Sequence, residues 1–135
     1  MYKFYAARVY PKGQKNSQGR VNPHFHTKGD EPYQILKGKG RMHIGKVSEG
    51  NIIVWKSPNS KKSGDTIIVK AGAVHSFEME GEDYVDFVFA CPHSHLGENE
   101  NGEKSEEAND RFFTDPNNKD TKEKYTNPFP EYKKD

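Results

Sequence analysis

Between Phe4 and Leu96 the apolar residues come in short runs rich in Val, Ile, Phe and Tyr, each closed by Gly, Pro or Asn. None of these runs sustains a helical period, so the pattern predicts strands near residues 2–10, 32–37, 40–46, 51–56, 66–70, 75–79 and 84–91. Gly38-Lys39-Gly40 and Gly81-Glu82-Asp83 read as tight turns, and residues 57–64, with Pro58, as a polar loop. Several short strands with regular turns and no intervening helices predict an all-β sandwich or barrel.

The pattern changes at Gly97. Beyond it the chain is dense in Glu, Lys, Asp and Asn, and its large apolar residues are Phe112, Phe113, Tyr125, Phe129 and Tyr132. We therefore expect a β-barrel over 1–96 and a charged C-terminal tail or arm over 97–135, solvated or partly disordered in the simplest reading. In the alternative, Asp110-Arg111-Phe112-Phe113 and Asn127-Pro128-Phe129-Pro130 are anchors that dock on the barrel or on a second copy. A length of 135 residues suits one core, and the low apolar share of 31% fits this division.

With 21 basic and 20 acidic residues the net charge is +1, which gives no field to favour nucleic acid or an anionic membrane as partner. The single cysteine, Cys91, excludes an intramolecular disulfide framework and a Cys-rich zinc module. No apolar run is long enough to span a bilayer, and residues 1–13 do not read as a leader. The expectation is a cytoplasmic protein with a small-molecule substrate, paired as a homodimer through the 2–10 strand or the aromatic tail.

The histidines carry the chemistry. His24-Phe25-His26 places two imidazoles on one face of an extended segment. Glu31 follows as a new strand begins, and a turn at Ala71-Gly72 delivers His75 from far along the chain. Three imidazoles and a carboxylate suit one divalent transition ion such as Fe, Mn, Ni, Co or Zn. A closed structural zinc site usually recruits thiolates, and none is near.

The spacing is more specific than the residue types. His24-x-His26, four residues, Glu31, six residues, then Gly38 resembles the first motif of the cupin superfamily. Gly64-Asp65-Thr66-Ile67-Ile68-Val69-Lys70-Ala71-Gly72-Ala73-Val74-His75 resembles its second, with 25 residues between Gly38 and Gly64. Three positions depart from the pattern. Gly19 lies one residue closer to the first histidine than usual, Lys70 stands where proline is common, and Met79 where asparagine is frequent.

The resemblance implies a double-stranded β-helix, or jelly-roll barrel, holding a metal through His24, His26, Glu31 and His75. With Glu31 and His75 inward, strand parity turns Tyr33, Ile35, Phe77 and Met79 toward the same interior as a substrate pocket, with Trp55 as a further candidate wall. His43 would face outward, and His93 and His95 would mark a polar strand exit. Asp86 either orients a ligand histidine or sits on the outer face.

Three functions fit. The first is a metal-dependent oxygenase of dioxygenase type acting on a small chelating substrate, with Glu31 as ligand and base. The second is an isomerase or lyase moving a proton next to a carbonyl. For this the run from Asp30 to Gly40 resembles cupin-type sugar-phosphate isomerases, with Arg20, Lys28 and Arg41 as phosphate candidates. The third is a non-catalytic barrel that binds metal or a small ligand.

Overall fold

A computed structural model describes residues 2–47, 53–56 and 59–113. Ten strands follow in order: β1 (Tyr2–Val9), β2 (His24–Phe25), β3 (Glu31–Lys37), β4 (Lys39–Val47), β5 (Ile53–Lys56), β6 (Ser60–Lys62), β7 (Thr66–Val69), β8 (Val74–Glu80), β9 (Val85–Pro92) and β10 (Phe112–Phe113). One sheet runs β1-β9-β3-β7 and the other β10-β2-β8-β4-β5, with β6 added against β4. Every pairing is antiparallel. Among the described residues no helix is long and apolar enough to cross a membrane.

Alternation along β3 shows how the sequence builds the interior. Glu31, Tyr33 and Ile35 are 3%, 8% and 1% exposed, whereas Leu36 is 52% exposed. The inward positions join Val9, Met42, Ile67, Val69, Phe77, Val85 and Phe87 in one core between the sheets. Gly40 is required by this packing. A Cβ there would lie 2.4 Å from Phe77 Cζ and 2.6 Å from the Glu78 carbonyl oxygen, so β4 and β8 approach closely only because the position has no side chain.

The second sheet is covered on its other face as well. Trp55 packs there with Val74 and Phe25, because β4 sets Gly45 opposite both Trp55 and Val74. Trp55 therefore does not wall the interior as expected. His43 does point away from the barrel interior, but it is fully buried rather than exposed. The Trp55 ring stands at 90° to it, 6.5 Å between centroids, and its Nε2 pairs with Glu78 Oε1 at 3.0 Å. Asp86 lies on the outer face of the first sheet, where Arg8 donates to it at 2.6 and 2.9 Å.

Two further expectations change. Residues 60–62, read as loop, form the edge strand β6, which pairs with residues 39–41 while Ser60 Oγ donates to Glu80. Of the two readings of the tail, residues 97–113 follow the docking one and return to the barrel. Phe112 and Phe113 pair with Phe25 and His24, and the Phe25 and Phe112 rings stack at 5.1 Å. The second anchor, Asn127-Pro128-Phe129-Pro130, lies outside the described residues.

Candidate metal centre

The short strand β2 sets His24 opposite His75 of β8, so the sheet itself brings the two rings to 4.3 Å between centroids. His26, two residues on, stands 4.9 Å from His24 and 5.3 Å from His75. All three are buried. Each Nδ1 lies against a backbone carbonyl: His24 on Asn22 at 2.7 Å, His26 on Asp110 at 2.8 Å, His75 on Ala73 at 3.1 Å. A carbonyl can only accept, so each Nδ1 carries the proton and Nε2 keeps its lone pair. Backbone thus fixes the tautomer of all three rings in the form that binds a metal.

Their ligating nitrogens lie within 4.8 Å of one another. His75 Nε2 is buried and has no hydrogen-bond partner among the described residues, which a folded protein rarely tolerates unless the atom serves another group. Burial lowers the pKa of all three histidines, and their mutual proximity lowers that of His24 and His26 further. They are neutral at ordinary pH. The donor set and the orphaned nitrogen both fit a divalent transition ion.

Glu31 is adjacent but not at the same point. Its Oε2 lies 3.5 Å from His26 Nε2, and it forms a second cluster with His26 and His95. Tyr33 donates its hydroxyl to Oε1, and His95 donates Nδ1–H to Oε2 at 2.6 Å. The structure therefore brings His24, His26 and His75 together and places Glu31 beside them through His26.

His95 is the residue that sequence reasoning passed over. Expected at a polar strand exit, it is 1% exposed and stacked flat on His26, with centroids 3.9 Å apart. Its Nε2 faces the Lys28 carbonyl, so both ring nitrogens meet acceptors and both carry protons. Burial opposes the charge, but the bonds to Glu31 and Lys28 outweigh it and the pKa is raised. Only the sheet register reveals this proximity: β9 runs antiparallel beside β3 with Phe89 opposite Tyr33, which carries the end of β9 toward Glu31. The neighbouring His93 instead lies 3.3 Å from the Tyr5 hydroxyl.

A cavity of about 180 Å³ opens beside the histidines. Phe77, Phe87, Phe89 and Tyr33 form much of its wall, and Arg111 adds a cation from the returning segment. Of the four expected pocket residues, Tyr33 and Phe77 line it. Ile35 and Met79 pack in the core instead.

Neither protein-family models nor curated proteins match this sequence. Solved structures do. One is an uncharacterized conserved protein with a double-stranded β-helix domain from Klebsiella pneumoniae, 24% identical over 66% of this chain and 64% of that one, TM-score 0.50. Another is a variant of the Bacillus subtilis oxalate decarboxylase, 21% identical over 66% of this chain and 21% of that one, TM-score 0.51. The match thus spans less than two thirds of either neighbour. Sheet order, jelly-roll packing and these neighbours agree on the fold: the chain is a double-stranded β-helix.

Proposed function

We propose that this cupin-type barrel is a metal-dependent enzyme for a small chelating substrate, with dioxygenase-type oxidation as the first reading. The observation that carries it is the convergence of three tautomer-fixed imidazoles, one with an orphaned buried nitrogen, on the side of an apolar cavity. His24, His26 and His75 would hold one divalent ion, with Glu31 as the fourth donor. Such an ion supplies Lewis-acid polarisation of two substrate oxygens and, if redox-active, a route to dioxygen.

The chain's own groups then have definite tasks. The phenylalanine wall keeps water from the reacting atoms, which strengthens every electrostatic interaction there. Arg111 supplies positive charge for an anionic oxygen of the substrate. Glu31 can relay a proton, since its carboxylate is in hydrogen-bond contact with the Tyr33 hydroxyl and the His95 Nδ1–H. Oxygen consumption by iron-loaded protein with a panel of keto-enols, diols, thiols and small carboxylic acids tests this reading. Oxalate belongs in that panel because a fold neighbour bears its name. No uptake from any member, with iron loading verified, counts against oxygenase chemistry.

The Tyr33–Glu31–His95 chain of hydrogen bonds favours a second reading, proton transfer next to a carbonyl as in an isomerase or lyase. Its sugar-phosphate form has less support, because none of Arg20, Lys28 and Arg41 lines the cavity and Arg41 pairs with Glu80 at 3.1 Å. Absence of fructose 6-phosphate turnover would remove that narrower form. A homodimer through the outer face of the first sheet completes the proposal, since Phe4, Leu36 and Ile68 are 86%, 52% and 55% exposed there.

A further inference from the structure

Three side chains crowd one carboxylate. Glu31 Oε1 accepts from Tyr33, and Oε2 accepts from His95 at 2.6 Å while lying 3.5 Å from His26 Nε2. The two ligand clusters share His26 alone. Because His26 commits Nδ1 to the Asp110 carbonyl, it has one nitrogen to give and cannot serve two ions at once.

His95 is itself held on every side. Its ring stacks on His26 at an interplanar angle of 1°, and its Nε2 meets the Lys28 carbonyl with Asp110 Oδ2 3.9 Å away. The 3-10 turn that carries it, His93–Leu96, ends at Gly97 with φ 73°, where the Gly97 N–H caps the Ser94 carbonyl. The Asp110 N–H donates to that same carbonyl at 2.9 Å. A ring so fixed sets the place of the carboxylate it binds rather than following it.

We propose that His95 is a positioning residue that holds Glu31 apart from the point where the three imidazoles converge, so that ligation by Glu31 requires giving up the His95 bond. The inference rests on the metal-centre reading above. It makes the fourth ligand conditional, and it assigns that control to a residue outside both sequence motifs.

Co(II) is the probe, read by competitive titration and by its visible ligand-field spectrum, in the full chain and in His95→Phe, His95→Gln, Glu31→Gln and the double variant His95→Phe/Glu31→Gln. Phenylalanine keeps the stack on His26 and removes both donors. We expect His95→Phe to bind Co(II) about tenfold more tightly, the scale of one hydrogen bond to a charged group, and to shift the spectrum toward one more oxygen ligand. Glutamine restores a donor and should return both readouts toward the parent. In the Glu31→Gln background, the His95→Phe change should have no effect on the spectrum.

An unchanged spectrum in His95→Phe overturns the proposal, as does the same shift with or without Glu31, which would reveal only the loss of a nearby charge. If His95→Phe does not fold, the Glu31→Gln spectrum decides. A parent-like spectrum there supports a carboxylate held off the ion, and a large change contradicts it. Failure of the parent protein to bind Co(II) at all sinks the metal reading itself, a distinct result.

Discussion

His24 and His75 are direct cross-strand partners, Cα opposite Cα in the β2–β8 pair, with ring centroids 4.3 Å apart. The metal centre is thus a property of sheet register. A slip of one residue would turn one of the two imidazoles to the opposite face. What holds that register at its edge is the returning segment, because β10 pairs with β2 and the Asp110 carbonyl holds the His26 ring.

Asp110 should therefore matter for stability although it belongs to neither motif. Its buried carboxylate accepts from the Thr27 N–H at 3.0 Å, the Thr27 hydroxyl at 2.5 Å and the Lys28 N–H at 2.8 Å. Asp110→Ala removes the acceptor that all three donors share. We expect a loss of roughly 3 kcal/mol in urea unfolding, from hydrogen bonds to a charged group worth about 1.5–3 kcal/mol each. A change below about 0.5 kcal/mol would show that the segment is not fastened here.

Gly40→Ala tests the close approach of β4 and β8. The added methyl would sit 2.6 Å from the Glu78 carbonyl, where backbone must shift. Overpacking of this kind costs about 1–3 kcal/mol, read as a lower midpoint in thermal melting. An unchanged midpoint would mean that the two strands have slack.

The metal-free protein should lose stability as the pH falls below 6.5. Burial holds the folded pKa values of His24, His26, His75 and His43 below the ordinary histidine value of about 6.5. Below 6.5 the unfolded chain therefore binds protons that the folded one refuses. Stability is fully present above that pH and declines beneath it, by up to about 1.4 kcal/mol per pH unit for each such histidine. His95, raised instead, contributes in the opposite sense. Melts of chelator-treated protein at pH 8, 6.5 and 5 measure the slope, and a flat profile would contradict the buried neutral trio.

Self-association should run through the outer face of the first sheet. Phe4→Asp places a charge at an apolar position that is 86% exposed in the single chain. Light scattering is expected to show a dimer for the parent and a monomer for the variant. A monomeric parent would remove the dimer from the proposal.

Most of the barrel and three of its histidines could be read from the chain because their signals are local. The alternation of β3 fixed which side Glu31, Tyr33 and Ile35 face, and the His24-Phe25-His26 spacing put two rings on one side. What escaped depends on contacts distant in sequence. His95 reaches Glu31 across 64 residues and Asp110 reaches His26 across 84, and neither spacing leaves a periodic trace. The placement of Trp55 and the burial of the outward-facing His43 escaped for a related reason. Period-two parity assigns faces of a strand, but it does not reveal that the second sheet is roofed on both.

Metal analysis of the protein as purified, compared with His75→Ala, tests the central claim most directly. His75 Nε2 is buried with no hydrogen-bond partner among the described residues, and removal of His75 leaves two imidazoles where three converged. We expect close to one equivalent of Fe, Mn, Ni, Co or Zn per chain in the parent and loss of nearly all of it in the variant, with the fold retained by circular dichroism. Metal content that survives the loss of His75 would contradict the account.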